Sequence, residues 1–76
     1  MSYNGHPSWA YWNVALWFGS DEGLYTMARD TVRRCRNKDE AAAAIMDTLS
    51  QVGLTKTPDG ARYSKASIRH AIRGLQ

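Results

Sequence analysis

The sequence predicts an all-α fold: a compact small bundle of three main helices plus one further helix, with a TPDG loop before the last helix. Apolar residues recur every three or four positions in several segments, as one buried helix face requires. Those segments are punctuated by residues that start helices, such as Ser20, Asn37 and Ser64, and by Gly19 and Gly53, which end them. A run of four alanines, Ala41 to Ala44, has the highest helix propensity of any residue type. The chain of 76 residues is read as one domain, 1–76, burying about 60–65% of its unfolded surface and held by only a few kcal/mol.

The first helix is expected from Ser8 or Trp9 to Phe18, entered through Pro7 and closed by Gly19. Ser20 is the expected N-cap of the second helix, Asp21 to Arg36, with Asp21 and Glu22 placing negative charge at the positive end of the dipole. Leu24, Ala28, Val32 and Cys35 make its apolar stripe. Arg29, Arg33 and Arg36 form a second stripe roughly 100° around, and Asp30 is in reach of Arg33 or Arg34.

Asn37 followed by Glu40 has the form of a capping box, so the third helix starts near Lys38. Ala41, Ile45, Leu49 and Val52 are its expected buried face, and Gly53 its end. Leu54 to Tyr63 reads as a loop, in which Pro58 presets a turn and Gly60 releases the chain from it. Turn geometry alone accounts for Asp59. Ser64 caps the fourth helix, whose buried stripe is Ile68, Ala71, Ile72 and Leu75, while Lys65, Arg69 and Arg73 share an adjoining face.

The stretch "SWAYWNVALWF", Ser8 to Phe18, holds all three tryptophans and the one phenylalanine. Trp9, Trp12 and Leu16 fall on one side of the helix, and Tyr11, Val14 and Phe18 nearly opposite, with Trp17 between. A helix apolar on both sides is either central in the bundle or sandwiched between the bundle and a partner. Both readings stand at this level, because Trp and Tyr dominate cores and interface hot spots alike. Asn13 is either a satisfied buried amide or an exposed contact.

Four motifs carry a resemblance: "YNG" at Tyr3 to Gly5, "WNVALW" at Trp12 to Trp17, "DEGLY" at Asp21 to Tyr25 and "TPDG" at Thr57 to Gly60. In order and approximate spacing they resemble a family of small uncharacterised proteins encoded by bacteriophages and plasmids. That family usually places Glu-Thr where this chain has Ala10 and Tyr11. The resemblance implies provenance in a mobile genetic element and brings no activity with it.

No enzymatic constellation assembles. Cys35 reads as a small buried hydrophobe, and His6 and His70 lack a neighbouring acid to orient them. The scattered N and S donors do not have zinc-site spacing, and the glycines form no phosphate-cradling loop with a lysine. No cofactor and no metal are expected.

A lone cysteine and the lack of a basic, apolar leader predict a cytoplasmic protein of the host cell. Val14 to Phe18, the longest apolar run of the uncharged first 20 residues, is far short of a membrane span.

The cations are the best chemical pattern. Ten Lys and Arg against seven acids leave +3. If the second and fourth helices pack side by side, Arg29, Arg33, Arg36, Lys65, Arg69 and Arg73 merge into one basic patch.

Two functions follow. The first is a non-catalytic accessory protein that binds a host protein through Trp9, Tyr11, Trp17, Arg33, Arg69 and Arg73, such as an inhibitor of a host defence system of the CRISPR kind (an anti-CRISPR). The second is low-specificity nucleic-acid binding through the six basic residues. Homodimerisation through the first helix is compatible with both.

Overall fold

Ser8 is extended and its hydroxyl accepts the Tyr11 amide, which starts α1, Trp9–Ser20. The computed structural model describes residues 8–75, so the roles expected for Tyr3 to Gly5, His6 and Pro7 lie outside the described residues. Gly19 does not close this helix; it continues through Ser20 to Asp21. Asp21 ends one helix and begins the next. Its amide donates to the Trp17 carbonyl, and its carboxylate accepts the Leu24 amide at 2.9 Å. The cap of α2, Glu22–Arg34, is therefore Asp21 and not Ser20. A carboxylate there satisfies an orphan N–H and also meets the helix dipole, which the Ser20 hydroxyl does not match.

α2 stops two residues before the expected Arg36, because Cys35 turns to extended backbone (φ −102°, ψ 156°). Asn37 then caps α3, Lys38–Gln51, by accepting the Glu40 amide at 2.8 Å. The helix ends in a Schellman motif. Gly53, at φ +78°, donates to Ser50, and Leu54 donates to the Leu49 carbonyl at 2.9 Å. Val52 sits at this cap and is 65% exposed, contrary to its place in the apolar pattern: it lies at the very end of the helix, beyond the buried Leu49.

The loop before the last helix holds one isolated antiparallel bridge, Lys56 with Arg62. Ser64 opens α4, Lys65–Ala71, with a reciprocal capping box made with Ser67. In the packing, α1 lies against α2 and α4, and α3 against the same two helices. Among the described residues, α2 and α4 do not touch. The basic flanks expected to merge by side-by-side packing therefore belong to helices on opposite corners of the bundle.

All four helices feed the core. Val14 and Phe18 meet Ala28, Ala41, Ala42, Ile45, Leu49, Ile68 and Ile72, with Ala61 and Tyr63 brought in by the loop. The buried alanines let backbones approach closely, and the Phe18 ring meets Tyr63 edge-on at 6.1 Å. Among the described residues no helix is long and apolar enough to cross a membrane.

Candidate functional site

Asn13 lies inside the apolar first helix and is 1% exposed, so its amide must find partners within the protein. It finds them in the TPDG loop. The Thr57 hydroxyl donates to Asn13 Oδ1 at 2.5 Å, and Asn13 Nδ2 donates to Asp59 Oδ2 at 2.9 Å. One helical turn on, Trp17 Nε1 donates to the same oxygen at 2.9 Å.

Thr57 is tied further into its own loop. Its hydroxyl accepts the Ala61 amide, its amide donates to the Ala61 carbonyl, and its carbonyl accepts from Gly60. Gly60 is at φ +96°, a conformation that a side chain strains. Turn geometry is thus only part of the account of Asp59, which also clamps the loop onto α1. Hydrogen bonds from Asn13 and then Trp17 favour its ionised form and hold the carboxyl below the ordinary aspartate range.

This clamp builds one wall of an open apolar cleft of about 510 Å³. Its lining takes Trp17 from α1, Gly23 and Leu24 from the start of α2, and Leu54, Pro58 and Tyr63 from the segment between α3 and α4. Asp21 and Lys56 put one charge of each sign at its edge. Leu54 is 48% exposed, a large side chain left facing solvent. Burial raises the Tyr63 phenol above its ordinary value, and the negative charge of Asp21 adds to the effect.

The sequence-derived contact residues are spread over the molecule. Trp17 lines the cleft, whereas Trp9 is 40% exposed on the outer side of α1. Tyr11 leans on His70 of α4, ring centroids 5.3 Å apart. Arg33 stands with Asp30 and Arg34 on α2. Arg34 does not take the Asp30 carboxylate; its guanidinium donates to the Asp30 carbonyl and the Thr31 hydroxyl.

The cations of α4 are largely committed within the protein. Lys65 pairs with Asp39 at 2.9 Å, and Arg69 approaches the same carboxylate at 3.7 Å. The Lys65 hydrogen bond is the main reason the Asp39 carboxyl is held low. Arg73 lies past the end of α4, in the turn that follows the Ile72 cap, so it does not share one helical face with Lys65 and Arg69 as expected; it donates to the His70 carbonyl at 2.6 Å. Arg29 lies half-buried over the Tyr25 ring, 5.7 Å from its centroid, and only Arg36 and Arg33 of that stripe stand in solvent.

Cys35 is a half-buried helix cap. Among the described residues no three His, Cys, Asp or Glu side chains come together as a metal site.

Sequence reasoning missed the cleft, because Leu54, Lys56, Pro58 and Tyr63 read as an ordinary loop. The pairing of an amide inside an apolar helix with an acid in a distant turn was its one local trace. Two of the motifs that carry the resemblance, WNVALW and TPDG, meet here through Asn13, Trp17, Thr57 and Asp59.

Residues 1–75 match a family described as a family of unknown function, DUF7249. No curated protein and no solved structure matches the chain.

Proposed function

We propose that this chain, which belongs to that family of unknown function, acts without catalysis by binding a protein of the host cell at the Trp17–Leu54–Tyr63 cleft. The cleft carries the reading: it is open, aromatic and apolar, and a loop with three side-chain ties to α1 holds its wall in place. Interfaces place aromatic anchors in such concave, preorganised surroundings.

The fitting partner offers one apolar side chain to the cleft with an acidic group beside it to meet Lys56, placed away from Asp21. Lys56 stands at the edge of the cleft, Arg62 is bridged to it, and the whole chain carries +3. The resemblance to phage and plasmid proteins supports a role in a mobile element, where occluding a host surface is the simplest action open to so small a domain. Inhibition of a defence complex such as CRISPR is the narrower form of this proposal.

Nucleic-acid binding has less support from the geometry. A backbone-binding face needs several free cations together, and Lys65 and Arg69 share Asp39 while α2 and α4 stand apart.

The test is capture from host lysate, half of each sample treated with nuclease, with the wild-type chain, a Leu54→Asp variant and an Arg69→Glu, Arg73→Glu variant, followed by rebinding of the purified target. Loss of a discrete protein with Leu54→Asp alone supports the cleft. Retention of that protein by Leu54→Asp, or capture of nucleic acid only, overturns it.

A further inference from the structure

Among the described residues, α1 has a second surface that no other element covers, roughly 100° around the helix from Trp17. Trp9, Trp12, Leu16 and Gly19 lie along it, at intervals of three, four and three. This is the a/d spacing that packs one helix against another. Trp9 is 40% exposed and Leu16 41%, and Trp12 is half-buried between them. The helix carries no charged residue.

We propose that this face pairs with the same face of a second copy of the chain, the two α1 helices running antiparallel about a two-fold axis at the level of Val14. The order of side-chain sizes singles out this arrangement. With the axis there, Trp9 of one copy falls opposite Gly19 of the other, and Trp12 falls opposite Leu16. Gly19 is exposed, and a Cβ built on it meets nothing within 4 Å, so the space an indole needs is open. Parallel pairing would set Trp9 against Trp9 and leave Gly19 facing Gly19, a clash at one end and a void at the other.

Charge argues for the same occupant. The face has nothing to pair with a charged partner, whereas two uncharged copies bury no ion. An isologous contact of this kind closes on itself and stops at two chains. Three large side chains offer less than the about 800 Å² per partner of a standard interface, so the dimer is reversible.

Sedimentation over a concentration series reaching the millimolar range tests the proposal. The fitted mass should rise from one 8.5 kDa chain towards two. Leu16→Arg and, separately, Gly19→Gln should each hold it at one chain with the helical circular dichroism unchanged. Val52→Lys, on a different surface, should leave the rise intact. A mass of one chain throughout the series overturns the proposal, as does a rise that both α1 variants retain. To fix the direction, chains with Trp9→Cys and Gly19→Cys, each also Cys35→Ala, are mixed under oxidation. Antiparallel pairing joins the two kinds to each other, and predominant joining of like to like overturns it.

Discussion

Trp17 and Asp59, 42 positions apart, meet in a 2.9 Å hydrogen bond from the indole Nε1 to a carboxylate oxygen that also accepts from Asn13. That oxygen ties the turn before α4 to the middle of α1. It makes a helix rich in aromatic residues into one side of a cleft.

Replacing Asn13 by Ala removes two of the three side-chain ties between the loop and α1, leaving only the Trp17–Asp59 bond, and deprives the buried Thr57 hydroxyl of its acceptor. The expected cost is about 1–3 kcal/mol, read as a lower urea midpoint with the far-UV spectrum retained in its absence. A midpoint equal to that of the wild type would mean that the loop holds its place without the amide.

Stability should fall in acid. Asp59 and Asp39 both have folded-state values below the ordinary 3.8, so the unfolded chain binds more protons in this range. Their contribution is present above that ordinary value and is lost as pH falls through the depressed folded values. Thermal midpoints measured down to about pH 2 should drop, and the Asp39→Asn, Asp59→Asn double variant should drop less steeply.

Two glycines should respond in opposite directions. Gly53 is at φ +78°, where a side chain is strained, so Gly53→Ala should lower stability by about 1–2 kcal/mol. Gly19 is helical and has open space at its Cβ, so Gly19→Ala should raise it by about 0.5–1 kcal/mol. Chemical denaturation of the two variants beside the wild type at low concentration checks both signs.

Position in the apolar pattern and position in the core part company in α3 and α4. Ile68→Ala opens a cavity at a fully buried site and should cost about 2–5 kcal/mol, enough to consume most of the stability of so small a domain. Val52→Lys should stay within about 0.5 kcal/mol of the wild type. A large loss at Val52 would contradict its exposure.

By itself the sequence determined the helices, since their apolar spacing, the Asn37 and Ser64 caps and the glycine at the end of α3 act within one or two turns. It also determined that Ile45, Leu49, Ile68 and Ile72 are core, because local periodicity fixes which side of a helix is apolar. Where two caps compete over adjacent residues, as at Ser20 and Asp21, the outcome hung on a hydrogen bond closing the preceding helix.

Only the tertiary structure decided the rest. Helix order says nothing about which helices touch, so the separation of the arginines of α2 from those of α4 followed from packing. The pairing of Lys65 and Arg69 with one aspartate on α3 did too. The aromatic helix turned out to be both core and surface. Val14 and Phe18 go inside, Trp17 lines a cleft, and Trp9 and Leu16 face outward, because its neighbours cover only part of its circumference. The contact of Asn13 and Trp17 with a turn more than forty residues away joins groups whose partners no local pattern specifies, and only the folded chain brings them within hydrogen-bonding distance.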